Sequence, residues 1–208
     1  MLYRFVYYFL APWVIGPFLR LFNRLSLIGF DRIPEKGPAV IIANHLSLWD
    51  AIYVYWFVRR PMYFMAKAEL FSIPVLGYLL RRIRVFPVKR DAVDRAALRM
   101  AAKVLEEGNM LVIFPEGTRS KDGELSPFKD GAALFAYRAH APIVPLVMHN
   151  TMNTFPHTLG SKIKIMCGQP FRLESESTGE SSSAMIKGMT SVLQNEIYRL
   201  QDEVRCLP

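Results

Sequence analysis

Ala39-Val40-Ile41-Ile42-Ala43-Asn44-His45-Leu46-Ser47-Leu48-Trp49-Asp50 is the stretch that decides the fold. The unbroken apolar run Ala39 to Ala43 reads as a buried strand, and a helix from about Leu48 through Phe57 follows it directly. Reading outward, the alternation recurs. Met62 to Ala66 is a second strand and Arg84 to Val88 a third; Asp91 then caps a helix whose apolar residues Val93, Ala97, Met100 and Val104 fall at helical spacing, and Gly108 ends it. Met110 to Phe114 is a fourth strand, about Asp130 to His140 a helix, and Ile143 to Met148 a fifth strand. Lys162 to Cys167 alternates lysine with apolar residues, as an edge strand does. This rhythm predicts an α/β fold with a mixed, largely parallel sheet flanked by helices.

Two further segments complete the organisation. Glu174 to Ser183 has no core-forming residue and reads as a mobile linker, and residues 184–205 form an amphipathic helix through Ile186, Met189, Leu193, Ile197, Leu200 and Val204. That helix is expected to pack on the sheet, since Glu196, Asp202 and Glu203 would face anionic lipid if it lay on a membrane. At the other end, Phe5 to Leu19 is uncharged, aromatic and broken by Pro12, Gly16 and Pro17, between Arg4 and Arg20. It is short for a bilayer span of about 20 residues and lacks the cleavage site of a signal peptide. Three readings stay open: short helices lying in one leaflet, a tilted span, and a helix of the core. The first sets residues 1–34 apart as a membrane-associating helical segment and 35–208 as the main domain, on the cytoplasmic face of a membrane.

Composition narrows the partners. The 208 residues carry 26 Lys plus Arg against 18 Asp plus Glu, a net charge of +8, and 51% hydrophobic residues with a mean hydropathy of +0.16. A basic chain this apolar, without a nucleic-acid motif, fits a membrane surface better than a nucleic acid. Cys167 and Cys206 form no CxxC and no cluster with histidine, so neither a disulfide framework nor a structural metal site is expected.

The chemistry lies in two blocks. His45 and Asp50, five positions apart, would sit about 140° apart in one regular helix. His45 is therefore placed in the turn leaving the strand, with Asp50 in the first turns of the next helix and reaching back. There Asp50 orients one imidazole nitrogen and leaves the other to take a proton from an alcohol. Ser47 lies in no GxSxG elbow and is not read as a nucleophile. The second block, Phe114-Pro115-Glu116-Gly117-Thr118-Arg119-Ser120, puts a glycine turn and an arginine just after a strand, which suits a phosphate. Glu116 is expected to orient that arginine or to accept from a substrate hydroxyl. Arg81, Arg82, Arg84, Lys89 and Arg90 add a basic cluster that suits a substrate phosphate, coenzyme A, an acidic carrier protein or anionic lipid.

With these blocks the chain resembles the 1-acylglycerol-3-phosphate O-acyltransferase family, from about Gly37 to His149. The resemblance implies His45 as catalytic base with Asp50 as its partner. Asn44, Lys67, Arg90, Glu116, Gly117, Thr118, Arg119 and Lys129 would bind substrate, and Ile143-Val144-Pro145 would belong to the acyl-binding wall. Arg84-Val85-Phe86-Pro87-Val88-Lys89-Arg90 is similar to a further block of the family that usually starts with Gly, where this chain has Arg84. The implied reaction moves a fatty acyl group from acyl-CoA or acyl-carrier protein to a lysophospholipid, with no metal and no cofactor beyond the thioester co-substrate. A thioesterase using the same dyad on water and a non-catalytic lipid-binding protein remain as alternatives, the first disfavoured by the phosphate-binding block and the second by the dyad.

Overall fold

The computed structural model describes residue 9 and residues 13–58, 60–89, 94–154, 156–174 and 182–207. Among the described residues seven strands form one sheet: β1 (Arg24–Ile28), β2 (Ala39–Ala43), β3 (Met62–Lys67), β4 (Val85–Val88), β5 (Met110–Ile113), β6 (Ile143–His149) and β7 (Lys162–Cys167). Their order is β1-β7-β6-β2-β5-β3-β4, and every neighbouring pair is parallel except β6 with β7. The helices are α1 (Gly16–Phe22), α2 (Trp49–Phe57), α3 (Pro74–Arg82), α4 (Arg95–Glu106), α5 (Gly131–Arg138) and α6 (Ser182–Cys206).

The central strands are apolar on both faces because both are covered. Along β2, Ala39, Ile41 and Ala43 join Leu19 of α1 and Tyr53 and Val54 of α2 in one core. Val40 and Ile42 join Ala101 of α4, Ala133 of α5 and Leu193 and Ile197 of α6 in the other. The period of two along one strand thus becomes two cores separated by the sheet. Pro145 is tolerated within β6 because it lies just past the end of β7: Leu146 pairs with Cys167, and the Pro145 carbonyl accepts the Gly168 N–H.

Several sequence expectations change here. β7 is not an edge strand, because β1 lies beyond it. Lys164, one of its alternating lysines, is buried and donates through Nζ to the Leu207 carbonyl at the end of α6. β1 itself lies inside the segment that the sequence set apart as 1–34, so the sheet begins before residue 35. Within the apolar N-terminal run, residues 5–8 and 10–12 lie outside the described residues, Leu19 is fully buried and Gly16 packs on Trp56, while Phe9, Trp13, Val14 and Phe18 are exposed. No helix among the described residues is long and apolar enough to cross a membrane. Asp91 falls outside the described residues. The observed cap of α4 is Asp94, whose carboxylate accepts the N–H groups of Ala96, Ala97 and Lys89. Those bonds, the one from Lys89 foremost, hold its carboxyl below the usual range. Most of the expected linker, residues 175–181, is also outside the described residues; the C-terminal helix begins at Ser182.

Candidate active site

β2, β3, β4, β5 and β6 run parallel, so their C-terminal ends meet at one edge of the sheet, where ligands bind in open α/β folds. At the end of β2, Asn44 is fully buried. Its amide donates to the Met148 carbonyl at 3.0 Å and accepts the Met148 N–H at 2.7 Å, extending the β2–β6 ladder by one side chain. Asn44, expected to bind substrate, is thus committed to the backbone.

The next residue leaves the sheet. The His45 N–H donates to Glu116 Oε1 at 2.7 Å, and its carbonyl accepts the Ser120 N–H at 2.8 Å. The ring lies against Phe114, with centroids 4.1 Å apart and planes 19° apart. Nδ1 is 2.9 Å from Asp50 Oδ2. The same oxygen accepts the N–H groups of Leu46 at 2.6 Å and Ser47 at 2.7 Å, and Oδ1 accepts the Thr151 hydroxyl at 2.5 Å. Asp50 is fully buried in the first turn of α2, as the spacing requires. A carboxylate gathering donors makes Nδ1 the protonated nitrogen, which leaves Nε2 with its lone pair. Ser47 is occupied as well: its hydroxyl accepts the Trp49 N–H and faces Asp50 Oδ1.

Glu116 departs most from its expected role. Only 4% exposed, it spends Oε1 on His45 N–H and Oε2 on Ser126 N–H at 3.2 Å, and it does not line the cavity beside His45. Burial pushes its carboxyl up, and the two backbone bonds work against that shift. Its two bonds hold two loops in register. Gly117 has φ +73°, and a Cβ there would come within 3.0 Å of Lys129 Cε, so glycine lets the Lys129 stem cross the turn.

The cavity has a volume of about 1110 Å³. His45, Lys67, Gly117, Thr118, Arg119 and Lys129 all line it, as does Lys89; Arg90 lies outside the described residues. Lys67 also pairs with Glu69 at 3.1 Å. Most of the wall is apolar and straddles the sheet. Tyr55, Trp56 and Phe64 lie on the side of α2, Met65, Leu98, Leu134 and Phe135 on the side of α4 and α5, and Leu80 of α3 adds to the wall. Arg84 has φ +66° and stacks on Tyr63 at 5.1 Å, away from the cavity lining. Ile143-Val144-Pro145 forms strand and core and does not line it either. The sequence reading missed Thr151 and Ser126: Thr151 reaches Asp50 from the turn after β6, Ser126 reaches Glu116 through its backbone from ten residues further along the same loop, and no local motif marks either.

A family model described as Acyltransferase matches residues 24–149, more than half of the chain and both blocks of the site. The chain belongs to the acyltransferase family. Among the family's proteins, the chain is similar to the chloroplastic 1-acyl-sn-glycerol-3-phosphate acyltransferase of Brassica napus, 34% identical over 140 residues, covering 65% of this chain and 40% of that protein. It is also similar to the 1-acyl-sn-glycerol-3-phosphate acyltransferase of Bacillus subtilis, 27% identical over 187 residues, covering 89% and 92%. The crystal structure of the 1-acyl-sn-glycerophosphate acyltransferase PlsC from Thermotoga maritima aligns with a TM-score of 0.67 at 27% identity, over 89% of this chain and 76% of that one. The chain thus spans less than half the length of the Brassica napus acyltransferase and nearly all of the Bacillus subtilis one.

Proposed function

We propose that this acyltransferase is an enzyme that transfers a fatty acyl group from an acyl thioester, acyl-CoA or acyl-carrier protein, to the free hydroxyl of lysophosphatidic acid, giving phosphatidic acid. The observation that carries the reading is His45, oriented by Asp50, in the wall of a large apolar cavity that Lys67, Arg119 and Lys129 also line. Its relatives' names point to the same acceptor class.

In this reading Nε2 of His45 takes the acceptor's hydroxyl proton as its oxygen attacks the thioester carbonyl. The carbon–sulfur bond then breaks, and the imidazolium returns the proton to the departing thiolate. Asp50 stabilises the imidazolium through Nδ1–H. No acyl-enzyme forms, in keeping with a Ser47 hydroxyl engaged at the start of α2. Arg119 and Lys129 bind the phosphate, the arginine through its planar fork and the lysine as a point charge. The apolar lining, drawn from both sides of the sheet, offers wall for the acyl chains of donor and acceptor beside His45.

The test is thiol release from an acyl thioester by purified protein, with and without lysophosphatidic acid, and with the lipid product identified. Acceptor-dependent release and phosphatidic acid are expected. Release at the same rate without acceptor would make the protein a thioesterase and overturn the proposal.

A further inference from the structure

Large hydrophobic side chains stand exposed in succession on α1 and the residues leading into it, at the start of α2, and on α3 and the turn leading into it; among the described residues of α4, α5 and α6 only Met100, Val192 and Tyr198 are exposed, singly. The densest part is α3. Val75 is 73% exposed, Tyr78 54% and Leu79 42%, with Leu76 beside them, and Ile73 just before the helix is also exposed. From Val75 to Leu79 these side chains cover an arc of roughly 160° at 100° per residue. Gly77 fixes the inward side, because a Cβ there would meet the Phe71 carbonyl oxygen at 2.3 Å; the helix is seated closely on its own leading turn with its apolar arc outward.

Two observations say what covers this arc. The first is charge: no Asp or Glu occurs between Leu70 and Arg90, while Arg81 and Arg82 end the helix with their guanidiniums over the rings of Phe71 and Tyr78, at 5.3 and 5.0 Å. A helix apolar over a wide arc, basic at one end and free of acids matches the boundary between acyl chains and anionic head groups. The second is continuity with the cavity. Leu48, Ile52 and Leu70 both line it and stand exposed, so they rim a mouth between α2 and the turn before α3, next to the apolar arc.

We propose that α3 is a membrane-docking element: the protein rests on an anionic bilayer with α3 at the acyl boundary, and the mouth between α2 and α3 opens into lipid. An acceptor chain then slides from bilayer to cavity without crossing water, where each exposed methylene would cost about fourfold in equilibrium. What enters the mouth rests on the proposed function; the docking does not.

The full chain, with its N-terminus intact, is sedimented with vesicles of phosphatidylcholine alone and of phosphatidylcholine with 30 mol% (roughly a plasma-membrane-like anionic load) phosphatidylglycerol. Two double variants outside the cavity lining are compared, Val75→Gln with Leu79→Gln and Arg81→Gln with Arg82→Gln. The first pair should weaken binding to both vesicle types at least ~10-fold. The second should weaken binding to the anionic vesicles about 30-fold, about fivefold per arginine, with little effect on the neutral ones. Both should keep wild-type melting and turnover of a short-chain, water-soluble acceptor, and lose turnover of vesicle-embedded acceptor. Wild-type vesicle binding by both folded pairs overturns the proposal. So does an arginine pair impaired only when acyl-carrier protein is the donor, since α3 would then be a carrier site. If vesicle binding falls as expected and the wild type acylates neither acceptor, the docking stands and the proposed function fails.

Discussion

Replacing Glu116 separates two accounts of the site. In the structure its carboxylate serves two backbone donors, His45 N–H and Ser126 N–H, inside the protein. Glu116→Ala orphans both, at about 1–3 kcal/mol for each unsatisfied buried group, so about 2–6 kcal/mol of stability is lost. For a chain of this size each kcal/mol moves Tm by about 2–4 °C, and the expected drop spans roughly 4 to 24 °C. Glu116→Gln is the finer probe. Its carbonyl oxygen keeps one bond, its NH₂ opposes the other donor, and the loss should be about half that of alanine. The pH sign is set by burial, which raises the folded pKa of Glu116 above its unfolded value. The wild type therefore loses stability as pH climbs from about 4.3 through that raised value, and its advantage over Glu116→Gln narrows on the alkaline side. Thermal melts across pH 4 to 8 (about the range in which carboxylates titrate) measure this. In kinetics, misplacing His45 lowers kcat and leaves the KM for lysophosphatidic acid nearly unchanged. A Glu116→Gln protein with wild-type Tm, wild-type kcat and a tenfold or greater rise (more than ~1.4 kcal/mol) in acceptor KM would refute the reasoning and put the carboxylate at the phosphate.

Other outcomes follow from neighbouring contacts. His45→Ala should lose at least about 100-fold in turnover while circular dichroism stays native; retention of more than about a tenth of wild-type rate would exclude it as base. Thr151→Val removes the hydroxyl on Asp50 Oδ1, so kcat should fall and its pH profile shift, with both KM values held; Thr151→Ser should restore the profile. Arg119→Ala should raise the acceptor KM well beyond the donor KM, and Arg119→Lys should restore it only in part because the fork is lost; equal rises in the two KM values would remove Arg119 from the phosphate. At the cap of α4, the folded pKa of Asp94 is depressed, so its contribution is present above the unfolded value and lost as pH falls through the folded one. The Tm difference between wild type and Asp94→Asn should therefore shrink on acidification, as paired melts would read.

The legible parts of this protein are those whose signal is local. The runs at β2, β5 and β6 are apolar because they are covered on both faces, and five positions between His45 and Asp50 suffice to require a turn between them. The reading failed where a partner is distant or is backbone. β1 runs on from α1 with no break in composition, and only its pairing with β7 identifies it. The lysines of β7 suggested an edge because no sequence pattern announces that α6 will cover Lys164. α3, only nine residues long between two strands, was passed over. The backbone partners of Asn44 and Glu116 were not legible, because side chains with hydrogen-bonding capacity are visible in a sequence whereas the N–H groups they satisfy are not.

α1 ends at Phe22 and β1 begins at Arg24, so one residue joins them. That residue, Asn23, is buried, and both its N–H and its side-chain amide bond to the Leu19 carbonyl. There is consequently no hinge between helix and sheet. Tilting α1 must tilt β1 and, through its ladder, the whole platform that carries His45. Mechanically α1 is a rudder and not a tether: the angle at which it meets any surface sets the bearing of the catalytic edge. Inserting a flexible spacer after Asn23 would leave both elements folded and take that steering away.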